Sequence, residues 1–564
     1  MSNEFVLPEV NRVHIAWADA LLKATSGMDL EFSLPENVDR IFTNLDASGK
    51  KKVAIYVHGG LVSGESEFGN LPFHKNPENK ILFDALNAKE VYPIYFVWET
   101  GIKESIRSAA TDWGEELADD PIAFLKGHMA ELAKTFLFKR ILKYLPKTLA
   151  AKARAGGLGL VEPPQLQDVE IEENRDKLSF YEPAVVDYDE FDDQDKQDFL
   201  EKLSADEEFM EYLRELGGGN GMGLAPHPDV ETLNQNAGEL MTLIQDDVGG
   251  LASATEPVSL VERPGVGLVD VVVLKNVGEF LGKLVFAVGA RFVRKEDHGF
   301  VATISEEFFR LVKLNHLGIL IWNQMKENAR KAYLAEEVNG VPHGGYYVIR
   351  QLAEYIKKHP DTEVSLIGHS AGSIHLSYFI ESVDALFGHS DNPTVRDYKF
   401  GNLIFLAPAV NFETFQKVVT HKNRFERFHI FTMQDADEMQ DALLAGFSKN
   451  DKVDAFLKCI YPCSLLYAVS GLAEEKDKGD VPILGLARHL DPTVYRGNDA
   501  LVHDTWKTIN AWPTNINWSR NLKLQGLLEA DIQKAAHAGK FTASLKHGDF
   551  DNEPWTAVSV ASLL

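Results

Sequence analysis

The chain has 564 residues, 45% of them hydrophobic and 25% charged, which suffices to bury a large core over three or four domains. Its formal charge of −27 makes a nucleic-acid backbone a poor partner for the molecule as a whole. No stretch approaches the roughly eighteen apolar residues of a spanning helix, and the start MSNEFVLPEV has no signal pattern, so a cytoplasmic setting is expected.

In chain order, KKVAIYVHGG (51–60) reads as a strand ending in His-Gly-Gly. VYPIYFVWETG (91–101) reads as a second strand, bounded by Glu99, Thr100 and Gly101. From Ile102 to about Asn339 the rhythm changes. Between Lys134 and Arg154 stand seven basic residues and no acid, interleaved with apolar ones. Such a segment is either a lid for an anionic lipid surface or a core-facing helix with a solvated basic side, and the second reading is preferred. An acidic stretch follows from Glu162 to Glu215, with twenty acidic against five basic residues, and then GGGNGMG (217–223). The glycines lack the Lys-Ser/Thr ending of a phosphate cradle and read as a hinge. Helical patterns around 276–295 and 303–335 close the segment, which is expected to be an inserted, mainly helical domain spanning 102–339.

The alternation then resumes. GYYVIRQLAEYIKKHPD (345–361) is a helix with a proline stop, Val364 to Ile367 a buried strand, and Ile374, Tyr378 and Leu386 recur at helical spacing. NLIFLAPAV (402–410) and FHIFTM (428–433) are strand-like. A second insertion is expected over about 440–540. It holds Cys459 and Cys463, two thiols without the histidines of a zinc set, which read as reduced packing residues. FTASLK reads as a last strand, and GDFDNEPWTAVSVASLL as a loop and a terminal helix. The pattern predicts an α/β fold: a mostly parallel sheet flanked by helices, its core contributed by residues 1–101 and 340–564.

Between the buried strand and its helix lies GHSAG (368–372). A strand that turns straight into a helix forces the turn residue into a strained conformation and needs small neighbours on both sides. The turn lifts the Ser370 hydroxyl above the sheet edge, beside the unpaired N–H groups of the helix N-terminus. HGG (58–60), GHSAG, the acids after FHIFTM and a late histidine together resemble the α/β-hydrolase superfamily, over roughly residues 41–101 and 341–564.

The resemblance implies a Ser–acid–His triad in that chain order, an acyl-enzyme, no metal and no cofactor. Ser370 is the expected nucleophile. His547 is the expected base, with His503 in ALVHDTW as runner-up. QDADEMQD (434–441) offers Asp435, Asp437, Glu438 and Asp441; Asp435, nearest the strand, is preferred for the acid and Asp437 is its rival. The oxyanion donors implied are the N–H of Ala371 and that of Gly60 or Leu61. His58 and His369 read as structural, and Glu99 as a structural hydrogen-bonding residue. The expected function is hydrolysis of an ester or related acyl bond by an esterase- or lipase-like serine hydrolase. A small-molecule or lipid-like acyl substrate is the expected partner, with a membrane surface not favoured and a protein partner for the insertion open. The alternative is a hydrolase-fold interaction or regulatory protein whose insertion binds a partner.

Overall fold

The computed structural model describes residues 12–15, 20, 22, 33–60, 81–98, 287, 291, 294–311, 315–443, 461–475, 478–522 and 527–564. The basic segment 134–154, the acidic stretch 162–215, the glycines of 217–223, Leu61, Glu99 and Cys459 lie outside the described residues. The chain divides into two compact units, one made of residues 1–125 and 317–564, the other of residues 126–316. Residues 317–339, expected within the insertion, therefore group with the first unit.

The apolar runs become strands: β1 (Arg12–Ile15), β2 (Lys52–Val57), β3 (Val91–Trp98), β4 (Glu337–Val338), β5 (Val341–Pro342), β6 (Glu363–His369), β7 (Phe400–Leu406), β8 (Phe425–Thr432) and β9 (Thr514–Trp518). The short pair β4–β5 is an antiparallel hairpin. The others form one sheet, with seven strands among the described residues in the order β1-β3-β2-β6-β7-β8-β9, every neighbouring pair parallel. From β2 the chain first moves outward to β3 and then returns to lay β6 on the other side of β2. That reversal makes the C-terminal ends of β2 and β6 the switch point of the sheet, the usual ligand position in an open parallel sheet. The register pairs Val57 with Gly368, so HGG and GHSAG leave the same edge side by side.

Helices cover both faces, which is why β3, β6 and β7 are nearly continuous apolar runs. The helices are α1 (Pro35–Ser48), α2 (Ile81–Ala88), α3 (Phe300–Leu311), α4 (Asn315–Lys331), α5 (Gly344–Lys358), α6 (Gly372–Gly388), α7 (Phe412–Thr420), α8 (Ala500–Ala511), α9 (Glu529–His537) and α10 (Pro554–Leu563). α1, α5, α6, α7 and α8 pack in series on one face. On the other, α10 lies between α9 and α2, and Phe550, Ala557 and Val560 pack on Tyr56, Val97, Ile367 and Ile404. α5 shows how sequence produces this: Val348, Ile349, Leu352 and Ile356 form its buried stripe, and Lys357 and Lys358 suit the negative C-terminal end. In the second unit, the buried Arg291 guanidinium pairs with Glu306 and Glu307 of α3, and the His298 ring meets Glu306 at 2.8 Å. Among the described residues no helix is long and apolar enough to cross a membrane.

Two expectations for the last part of the chain change. β9 is a strand of the main sheet inside the region expected to be an insertion; its polar sequence TNINW hides it. FTASLK forms neither strand nor helix. Side chains take its N–H groups instead, Phe541 N–H donating to Ser559 Oγ and Ala543 N–H to Glu553 Oε2.

The core also holds uncharged histidines. His375 of α6 lies against Trp98 and Tyr333, each 5.0 Å away between ring centroids, and burial, helped by His58, pushes its pKa down to about 3. His429 of β8 faces Asn402, and burial lowers it to about 4. The folded chain leaves both neutral while the unfolded chain protonates them below about pH 6.5, so stability is full above that pH and falls as pH drops towards 4. Each contributes up to about 1.4 kcal/mol per pH unit to the slope. Urea unfolding between pH 7.5 and 5 should show the loss, and His375→Gln should flatten it by about that amount.

Candidate active site

Ser370 follows β6 directly, with φ of 51°, a conformation that a residue bearing a Cβ adopts only when its surroundings impose it. Those surroundings are visible. Ser370 N–H donates to the Leu406 carbonyl at 2.8 Å, and the Ser370 carbonyl accepts from Ser373 Oγ at 2.6 Å and Ala409 N–H at 3.1 Å. The two glycines of GHSAG let the chains approach. A Cβ on Gly368 would stand 2.9 Å from Leu376 Cδ1, and one on Gly372 would collide with the Val57 carbonyl oxygen. The start of α6 is thereby pressed against the end of β2.

The HGG loop closes on this elbow. A Cβ on Gly59 would stand 3.0 Å from Ser370 Cβ, and one on Gly60 3.0 Å from Ala371 Cβ. His58 orients the loop: its Nε2 accepts from Trp98 N–H at 3.2 Å, so Nδ1 carries the proton and donates to the Gly59 carbonyl at 2.6 Å. Burial lowers its pKa to about 4, which keeps that tautomer neutral. Ala371 and Gly60 thus lie together, with Ala371 at the head of α6, where main-chain N–H groups have no helical acceptor. Met325 of α4 covers Gly60. α4 is fixed by the buried Glu474 carboxylate, which accepts from Trp322 Nε1, Lys326 Nζ at 2.8 Å and Asn411 Nδ2 at 2.8 Å.

His547 comes to the serine from the far end of the chain. Its Nε2 lies 2.7 Å from Ser370 Oγ, across 177 residues of sequence. Its main-chain N–H donates to Asp441 Oδ2 at 2.7 Å, and its carbonyl accepts from His369 Nε2 at 2.9 Å. Burial, with His369 nearby, pushes its pKa down to about 3, so the ring is neutral and able to take a proton. With the serine proton aimed at Nε2, the ring proton sits on Nδ1, which is buried without a hydrogen-bond acceptor among the described residues.

The acids fall out differently from the sequence expectation. Asp435 accepts from the Tyr467 hydroxyl at 2.7 Å, and Asp437 is half-buried, its pKa raised by burial. Neither meets His547 in the structure; Asp441 does. The residues Asp435–Glu438 form a short helical turn, and Asp441 N–H donates back to the Asp437 carbonyl. That turn swings the acids nearest β8 away and brings one nine residues beyond the strand to the histidine. Burial raises the pKa of Asp441, and the His547 N–H opposes that rise. His503 sits on α8 among Tyr495 and Trp506, ring centroids 5.8 and 5.0 Å away. Cys463 is buried, as a packing residue would be.

Sequence reasoning passed over Met325, and also Asp551, whose Oδ2 accepts from the Tyr56 hydroxyl at 2.7 Å and faces His369 Nδ1 at 3.8 Å. Neither belongs to a motif. Among the described residues, no group of three or more His, Cys, Asp or Glu is placed to hold a metal ion. No family model, curated protein or solved structure matches the chain. The chemistry therefore rests on the geometry: a hydroxyl beside a neutral imidazole, two small residues at a helix head, and a carboxylate on the histidine main chain.

The tightest constraint is at Gly372. Gly372→Ala should destabilise the protein by about 3 kcal/mol, the upper part of the overpacking range, because the obstacle is a strand carbonyl rather than a movable side chain. Chemical denaturation of the two proteins measures the difference.

Proposed function

We propose that the chain is a cytoplasmic serine hydrolase, esterase- or lipase-like, of the α/β-hydrolase type, with a large, mainly helical insertion in its core. The observation that carries this reading is the 2.7 Å approach of His547 Nε2 to Ser370 Oγ at a positive-φ turn. A turn serine serving only as a helix cap has no need of a buried neutral imidazole on its hydroxyl.

In this reading Ser370 Oγ attacks the acyl carbonyl while His547 Nε2 takes its proton. The N–H groups of Ala371 and Gly60 stabilise the tetrahedral oxyanion, each donor contributing about 3–4 kcal/mol. The leaving alcohol receives the proton from His547. Water, deprotonated by the same nitrogen, then releases the acid and restores the serine hydroxyl. The third member is Asp441. Its Oδ2 holds the His547 main-chain N–H, and in this reading the carboxylate turns from the main chain to Nδ1, the ring nitrogen that has no acceptor among the described residues. A carboxylate on Nδ1 fixes the tautomer and stabilises the imidazolium as it forms. The substrate is an ester or related acyl compound, and the insertion shapes access to it. The alternative reading, a regulatory scaffold that has lost catalysis, draws no support from a serine and histidine in hydrogen-bonding contact.

Intact-mass labelling with a fluorophosphonate tests the proposal. One adduct is expected on the native chain and none on Ser370→Ala; equal labelling of both overturns the assignment. Ester turnover should fall by as much as about 10⁴-fold in Asp441→Asn and stay near the native level in Asp435→Asn. The reverse pattern would return the acid's role to Asp435.

A further inference from the structure

The histidine at the second position of GHSAG, His369, occupies a place that the nucleophile turn leaves open to any side chain, yet here it is 7% exposed and enclosed by groups of specific chemistry. Its Nε2 lies 2.9 Å from the carbonyl oxygen of His547. A carbonyl only accepts, so Nε2 carries a proton and donates it. The opposite nitrogen, Nδ1, faces Asp551 Oδ2 at 3.8 Å, and the same carboxylate oxygen accepts from the Tyr56 hydroxyl at 2.7 Å. Tyr56 is the penultimate residue of β2, and His369 closes the neighbouring β6. The His369 and His547 rings are tilted by 31° with centroids 5.7 Å apart, so the two imidazoles share one buried space.

These contacts give His547 a second hold. Asp441 grips its N–H from the loop after β8, and His369 grips its carbonyl from the end of β6. The histidine opens the three-residue helical turn His547–Asp549, directly after the extended Lys546. With its main chain bonded on both sides, the ring has little freedom except about its own side-chain torsions. Displacing a reacting group by about 1 Å can cost about a hundredfold in rate.

We propose that His369 is a positioning residue for His547: it holds the His547 carbonyl through Nε2–H, while Asp551, anchored by the Tyr56 hydroxyl, faces its other ring nitrogen and keeps it oriented. This rests on the hydrolase reading for its consequence in rate, but not for the geometry itself. His369 touches neither the reacting hydroxyl nor the oxyanion position; it acts through His547. The remaining ionisable groups around it are His58 from the loop after β2 and Asp549 from the turn of His547.

The test uses the full-length chain and three variants. His369→Leu keeps an apolar side chain in the space but loses the donor, His369→Gln restores an N–H donor near the place of Nε2, and Asp551→Asn keeps an acceptor for Tyr56 but removes the charge facing His369. Fluorophosphonate labelling of Ser370 should slow 10- to 100-fold in His369→Leu and recover to within about threefold of native in His369→Gln. In ester turnover the loss should fall on kcat, with KM changed less than twofold. Asp551→Asn should slow labelling in the same direction by a smaller factor. Native labelling in His369→Leu, or equal slowing in the Leu and Gln variants with matching losses of melting temperature, would overturn the proposal.

A second readout does not depend on reactivity. Ring-nitrogen NMR of histidine-labelled protein should show the His547 signals moved or broadened in His369→Leu and near native in His369→Gln. Unchanged His547 signals in the Leu variant would also overturn it. If the native chain takes no phosphonate at all while those ring signals respond as expected, the hydrolase reading fails and the positioning contact stands.

Discussion

There is no room for a side chain at Gly372. The head of α6 meets the last carbonyl of β2 there, and that approach sets the geometry of the whole sheet edge. It draws HGG beside Ser370 and Gly60 beside Ala371, and it leaves the serine no backbone option but a positive φ. The strain is held by hydrogen bonds from β7 and the loop after it, through Leu406 and Ala409. A conformation costing about 1–3 kcal/mol persists because several neighbours impose it together.

His547 illustrates the complementary problem. No strand carries it, and no sheet neighbour fixes the segment before it. Its position is assembled from separate holds: Asp441 on its N–H, His369 on its carbonyl, Ser370 on its ring. The groups that make these holds come from the end of β6, the turn after it and the segment that follows β8, so the sheet positions the histidine indirectly, through side chains rather than through a ladder. α4 adds a roof on the opposite side, where the buried Glu474 carboxylate fastens Trp322 and Lys326 and so seats Met325 on Gly60. Removing one partner from such a buried charged set typically costs about 3–5 kcal/mol.

Much of this was legible in the sequence, for physical reasons. Strands buried on both faces are written as unbroken apolar runs, so β2, β3, β6, β7 and β8 were readable, and with them the parallel sheet. The strands at the two edges were not. β1 is only four residues long, and β9 reads TNINW, without the apolar signal of a strand enclosed on two faces. FTASLK carries the opposite lesson: its alternation suits a strand, but Ser559 and Glu553 satisfy its N–H groups in place of a neighbour. At the site, Ser370, Ala371 and Gly60 follow from local motifs, and His547 from its place near a glycine turn. The contact between Asp441 and the His547 main chain did not, because nearness to a strand in sequence says nothing about where a helical turn will carry a side chain. Asp441 and Asp551 are found only once the chain has closed on itself.

That closure has a cost in time. Tyr56 and Asp551 are hydrogen-bonded across 495 residues, and the second face of the sheet is sealed by the helix just beyond Asp551. At roughly 5–20 residues per second, a ribosome takes about 25–100 s to travel from one to the other. Through that interval the apolar side of β2 and β3 has α2 against it but not α10, while the whole second unit is made in between. Exposed apolar surface of that kind is what makes a growing chain prone to associate before it can close.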